Sequence, residues 1–280
     1  MFKNNKRCSE CGNTYDALEK ECPSCHLPNV DAIKRNDKHV ILDGKNQLLF
    51  FMLGYFGLLI ITTIITVFMQ LVLSLDSQAM LSTQTLGFIT FLSYGLLFCT
   101  FLFFVIKNNK AYRLLTIDFK EIVFGIFLGV VLLALSSGYD SFSTLIVETE
   151  INSNQASVIE ITKIYPIFSI IFLGIIGPIC EELTYRVGLF TFLTRFNRLV
   201  AYFAGTLIFA LIHFDPSCFI EAIGYGSVLP IVRELVALPS YLIGGFMLNF
   251  TYDRYGLKAS ILAHMLNNIV SIVGCILVYS

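Results

Sequence analysis

Residues 48–73 read LLFFMLGYFGLLIITTIITVFMQLVL, 26 residues without a single charge. A helix needs about 20 such residues to cross the hydrocarbon of a bilayer. The run Leu48 to Leu73 therefore predicts a membrane helix, and six more stretches repeat the pattern. They are Leu86 to Ile106, Ile122 to Gly138, Ile164 to Ile179 and beyond, Leu199 to Phe214, Pro230 to Phe250, and Leu257 to Tyr279. The third and fifth are short, and the Gly and Pro within these runs are of a kind membrane helices tolerate. Composition agrees. The 280 residues are 56% hydrophobic and 14% charged, where soluble domains carry about 25% charged residues. A net charge of −1 and the lack of a long basic tract exclude nucleic-acid binding. The expected fold is an all-α polytopic membrane protein of about seven transmembrane helices, embedded in a lipid bilayer.

Loop charges orient it, because basic residues collect on the cytoplasmic side. Residues 1–47 hold eight Lys or Arg, and the next loop, 74–85, holds none. Lys107, Lys110, Arg113 and Lys120 follow the second span. Residues 139–163 hold only Lys163, against Asp140, Glu148, Glu150 and Glu160. Arg195 and Arg198 lie after the fourth span and Arg254 and Lys258 after the sixth, with none at 215–232. A seven-span cell-membrane protein with a cytoplasmic amino terminus is expected. No apolar stretch follows Met1 to Arg7 at signal-peptide distance, so cleavage is not expected.

The polar amino-terminal stretch contains Cys8-Ser-Glu-Cys11, ten residues, then Cys22-Pro-Ser-Cys25-His. Two residues between the thiolates of each pair let both reach one ion from a tight turn. Two such turns make a closed tetrahedral Zn²⁺ site. A reducing cytoplasm favours zinc over two disulfides at this position. His26 adjoins Cys25 but is not needed beside four thiolates. The predicted organisation is a zinc ribbon at 1–28, a polar linker containing His39 at 29–47, two transmembrane helices within 48–110, and a catalytic membrane domain at 111–280. The closed site predicts a structural or docking role, with a possible protein partner at the ribbon. Cys99, Cys180, Cys218 and Cys275 read as small buried thiols.

Ionisable groups inside a bilayer are costly and mark function. Glu181, Glu182 and Arg186 interrupt the fourth run, His213 lies in the fifth, and His264, Asn267 and Asn268 lie in the seventh. Arg233 and Glu234 open the sixth and read as an interfacial pair. On a helix, Glu182 and Arg186 at i,i+4 can pair, leaving Glu181 to face elsewhere. If the fourth and fifth helices turn at Phe196-Asn197, Glu181 and His213 both sit about 22–24 Å from the tip and can meet. His264 and Asn268 share a face in the same way. A carboxylate beside an imidazole can activate water, and an imidazole with an amide can hold an oxyanion. The same groups could also bind a metal.

At these residues the chain resembles a known family. Glu181-Glu182-xxx-Arg186, Phe209-xxx-His213 and His264-xxx-Asn268 look like the three motifs of the CPBP intramembrane endopeptidases, which include type II CAAX prenyl endopeptidases and bacterial Abi proteins. The resemblance covers about residues 120–279. It implies a membrane-embedded peptide or protein as substrate, water activated by Glu181 with His213, an oxyanion pocket of His264 and Asn268, and support of Glu181 by Glu182 and Arg186. The family has been described both as metalloproteases and as glutamate-dependent without metal, so the resemblance leaves a catalytic metal open. The rival readings are a non-catalytic membrane scaffold or bacteriocin-immunity protein with the same fold, and a proton-coupled transporter.

Overall fold

The computed structural model describes residues 5–17, 19, 21–29, 42–72, 77–80, 82–107, 119–146 and 151–279. His39, Leu73, Lys110, Arg113, Glu148, Glu150 and the expected boundary at 110/111 lie outside these residues. Among the described residues, six helices are long and apolar enough to cross a membrane, and a seventh apolar helix is shorter. This is the expected all-α membrane architecture with a small amino-terminal ribbon.

The ribbon pairs β1 (Asn5–Arg7) with β2 (Thr14–Asp16) in antiparallel register, Lys6 opposite Tyr15. Helix α1 (Gly44–Leu71) starts where the Asp43 side chain accepts the Asn46 N–H, a cap that satisfies one of the free donors of the first turn. It begins four residues ahead of the apolar run, because Gln47 is enclosed there and donates to the Leu42 carbonyl at 2.8 Å. Next come α2 (Thr83–Lys107) and α3 (Phe119–Ile146). Helix α3 runs past Gly138, where the apolar pattern ends, since an amphipathic backbone needs only one apolar face to continue. Residues 139–163 are thus not a plain loop: they end in α4 (Ser153–Ile164), capped by the Asn152 side chain on the Gln155 N–H.

Helix α5 (Pro166–Thr194) is 29 residues long but not regular. Residues Phe172–Ile176 and Leu183–Phe190 are wound as π-helix. Such segments are rare and recur at functional sites. The chain turns at Phe196-Asn197 as the spacing predicts, and Asn197 caps α6 (Arg198–Leu211). At 14 residues, α6 spans about 21 Å, short of the ~30 Å hydrocarbon layer. A short α7 (Cys218–Tyr225) leads to α8 (Leu229–Tyr255), and Gly256, at φ 103°, makes the tight turn into α9 (Leu257–Tyr279).

Two larger apolar clusters and a smaller one of Ile65, Met69, Met80 and Ile89 fix these helices. One joins Phe50, Phe101, Phe190 and Tyr252 from α1, α2, α5 and α8; the Phe50 and Phe101 rings lie 5.3 Å apart. The other joins Leu132, Tyr185, Phe209, Leu248 and Ala263 directly beneath the polar residues of the bundle. Close approach between α1 and α5 rests on Gly54, where a Cβ would lie 1.7 Å from Thr184 Oγ1. The four later cysteines differ from expectation in part: Cys180 and Cys218 are buried, but Cys99 is exposed on the outside of the bundle and Cys275 is half-buried. An apolar outer surface is what lipid requires, so a thiol there needs no burial in protein.

Candidate active site

Glu181 and Glu182 close the α-helical turn Gly177–Glu182, immediately before the second π segment. Glu182 and Arg186 are both fully buried, with Glu182 Oε2 3.3 Å from Arg186 Nε. The i,i+4 pair expected from the sequence is therefore present. Two further groups reach Glu182 from α9: Ser260 Oγ donates to Oε2, and His264 Nδ1 lies 2.9 Å from Oε1. The Arg186 guanidinium lies 4.5 Å above the Phe209 ring. A desolvated cation over an aromatic face is stabilised by the ring quadrupole. This offsets part of the missing hydrogen bonding, since no Arg186 nitrogen has a hydrogen-bond partner among the described residues.

Glu181 points the other way, as the helical angle predicts. Its Oε1 accepts the Tyr94 hydroxyl at 3.2 Å, and its Oε2 lies 3.7 Å from His264 Nε2. His264 thus stands between the two carboxylates. The shortest carboxylate–imidazole contacts belong to His264, where the sequence pointed to His213 for Glu181. One helical turn separates Ser260 from His264, so both project from α9 onto α5. His213 lines the same cavity as Glu181 but spends Nδ1 on the Phe209 carbonyl at 2.8 Å. That bond assigns the proton to Nδ1 and leaves Nε2 as an acceptor. The His213 ring stacks on Tyr241 at 4.4 Å and 15°, and the Tyr241 hydroxyl accepts from Asn154 Nδ2 at 3.0 Å. Asn268 Nδ2 donates to the Leu173 carbonyl in the first π segment at 3.1 Å, a bond that uses one of its two N–H donors.

Glu181, His213, His264, Asn267 and Asn268 all line one cavity of about 500 Å³. Glu182 and Arg186 lie behind its wall. Tyr94, Tyr241 and Ser260 were missed in the sequence because single hydroxyls in apolar runs carry no motif. Ser260 alone had a signal, its i,i+4 spacing from His264. Arg233 and Glu234, side by side near the start of α8, find separate partners. Neighbours on a helix diverge by about 100°. Arg233 faces Glu221 at 3.4 Å, while Glu234 is buried and accepts the Ser153 and Asp215 N–H groups at 2.9 and 3.1 Å.

The ribbon forms a second cluster. Sγ atoms of Cys8, Cys11, Cys22 and Cys25 all lie within 4.8 Å of one another, with Cys8–Cys25 and Cys11–Cys22 at 3.5 Å. A tetrahedral Zn–S₄ centre with bonds of about 2.3 Å sets its sulfurs about 3.8 Å apart, so four cysteines in this arrangement fit a metal. The two knuckles match: in each, the residue after the second cysteine is left-handed, Gly12 at φ 70° and His26 at φ 56°. Burial alone would raise the Cys22 thiol, but the Ser24 and Cys25 backbone N–H groups and neighbouring thiols bring it down to about 6. His26 takes no part, since its ring is exposed and lies 3.1 Å from Glu21.

Residues 163–270 match the family model "Type II CAAX prenyl endopeptidase Rce1-like". An uncharacterized protein of Mycoplasma capricolum is 28% identical over 180 residues, 60% of this chain and 47% of that protein. UPF0177 protein YvdC of Lactococcus lactis is 26% identical over 116 residues, 41% of this chain and 44% of that protein. The chain spans about half the length of the curated relatives it matches. No solved structure gives a significant match. All seven residues named in the three motifs, from Glu181 to Asn268, fall inside the matched segment, and over residues 163–270 this multi-pass membrane chain is similar to the Rce1-like type II CAAX prenyl endopeptidases.

Proposed function

We propose that the chain is an intramembrane endopeptidase that hydrolyses a peptide bond of a membrane-associated peptide or protein. The observation that carries this reading is the convergence of Glu181, His213, His264 and Asn268 on one cavity of about 500 Å³ inside an apolar bundle. In this reading a water held between the Glu181 carboxylate and His213 Nε2 gives its proton to Glu181 as it attacks the scissile carbonyl. The Phe209 carbonyl and the Tyr241 ring hold the His213 imidazole in the accepting tautomer. The remaining Asn268 N–H donates to the developing oxyanion, where donors in a water-poor site have their largest effect, and His264 flanks that pocket. His264 is oriented by Glu182, which Arg186 and Ser260 hold in place. Tyr94 holds the outer oxygen of Glu181 in place.

The same reading gives residues 1–28 one structural zinc on Cys8, Cys11, Cys22 and Cys25, residues 111–280 the catalytic domain, and the amino terminus a cytoplasmic position. Zinc there supplies folding energy to a module that buries only a small core around Tyr15. The decisive experiment compares peptides and membrane proteins by mass spectrometry in cells carrying the wild type or Glu181→Gln. At least one substrate should persist uncleaved with the variant. Identical profiles would sink the peptidase reading.

A further inference from the structure

The cavity lies off-centre in the bundle. Helix α2 lines it with Thr90 and Tyr94 from its first half, and α3 with Ser136 and Asp140 from its second half. Helix α6 reaches it only at its end, and α9 lines it from His264 outward to Cys275. Successive spans run in opposite directions, so all of these mark the same end, the one crossed by α4. The other end is closed: Glu182, Arg186, Phe190, Tyr252 and Ser260 are each 3% exposed or less. The turns at that closed end carry Arg195, Arg198, Arg254 and Lys258. The wall at the open end mixes Asp140, Asn154, Gln155, Ser157 and Ser240 with Ile151, Val158, Ile159 and Ile161. Its polar groups are costly against lipid and mark a mouth that water reaches. Its charge is one-sided as well: the described lining holds Asp140 and Glu181 and no Lys or Arg.

We infer that the site, read as a peptidase, takes its substrate from the membrane face opposite the basic turns, and that the segment entering it is neutral or cationic, not a free terminal carboxylate. Basic turns mark the cytoplasmic side, so the substrate is the outer flank of a membrane-bound peptide. A carboxylate entering would meet two like charges and, in the described lining, no Lys or Arg, whereas a basic side chain would meet Asp140 at the rim.

The inference rests on the cavity being where the chain acts, but its test needs no turnover. The full chain with Cys99, Cys218 and Cys275 replaced by Ser is expressed carrying Ser157→Cys or Leu199→Cys. Ser157 lies at the rim, and Leu199, 79% exposed, lies at the turn between α5 and α6. Intact spheroplasts are treated with membrane-impermeant methanethiosulfonates, one bearing a trimethylammonium and one a sulfonate. Ser157→Cys should react in intact spheroplasts and Leu199→Cys only after permeabilisation. The cation-to-anion rate ratio at Ser157→Cys should exceed that of a free small thiol at least ~threefold, because an acidic cleft concentrates cations. If the replaced background expresses poorly, native Cys275, which lines the same cavity, gives the same reading by mass shift. Labelling of Ser157→Cys only after permeabilisation overturns the sidedness. A ratio at or below the free-thiol value overturns the charge preference. Either result leaves the Glu181→Gln comparison separately readable.

Discussion

Glu181 presents a partly exposed side chain to the cavity, while its neighbour Glu182 is fully enclosed with Arg186, Ser260 and His264. The two should respond differently to loss of charge. Glu181→Gln removes the proposed base and should lower cleavage about 10²–10⁴-fold without changing membrane insertion. His213→Ala should do the same, and the double variant should be little worse than either, since groups acting as one unit are not additive. Rates from purified protein on an identified substrate check both points, and multiplied losses would separate Glu181 from His213. Glu182→Gln leaves Arg186 as an uncompensated cation in a dry core. Breaking such a pair costs about 3–5 kcal/mol, so thermal unfolding in detergent should shift down sharply. An unshifted transition would mean that the pair does not hold the fold.

The π segments of α5 are a property of how helices meet. Helix α1 presses on the second of them, where a Cβ at Gly54 would overlap Thr184 and one at Gly188 would lie 2.6 Å from the Phe51 backbone nitrogen. Gly57, about one turn further along α1, has only Leu97 at 3.9 Å. Gly54→Ala should therefore destabilise by about 1–3 kcal/mol, the usual cost of overpacking, whereas Gly57→Ala should be close to neutral. Detergent melts of the two variants side by side test this, and equal melts would refute the close packing. In the ribbon, Gly12 and His26 occupy equivalent left-handed positions, a conformation that costs an ordinary L-residue about 1–2 kcal/mol. His26→Gly should bind metal at least as tightly as the wild type, as read by chelator competition. Weaker binding would instead give the imidazole a role.

Across the molecule, the proposed topology puts the ribbon and the basic turns at the closed end of the bundle on one side and the mouth of the cavity on the other. Purified chain should carry about one zinc, and Cys8→Ser with Cys22→Ser should remove it. Zinc that survives this double change would have to sit elsewhere, with the membrane carboxylates and imidazoles as the obvious place. A reporter fused before Met1 should read cytoplasmic and one after Ser280 outside. A cytoplasmic carboxy terminus would mean that α6 with α7 does not complete a crossing, because α6 alone is too short.

Much of this was legible in the chain itself because hydropathy and helical spacing are local. An uncharged run such as Leu48 to Leu73 has no alternative to spanning lipid, Cys-x-x-Cys repeats fix which thiols can share an ion, and i,i+4 spacing puts Arg186 on Glu182. Angles about one helix axis also turned Glu181 away from that pair. What meets across helices is not local. The placement of His264 between Glu181 and Glu182, the Tyr94 hydroxyl on Glu181, the Tyr241 ring on His213 and the separate partners of Arg233 and Glu234 depend on the rotation and depth of α2, α5, α8 and α9 against one another. Those are set by packing, through small residues such as Gly54 and through π turns that shift the register of α5. A periodic reading at 100° per residue does not contain them.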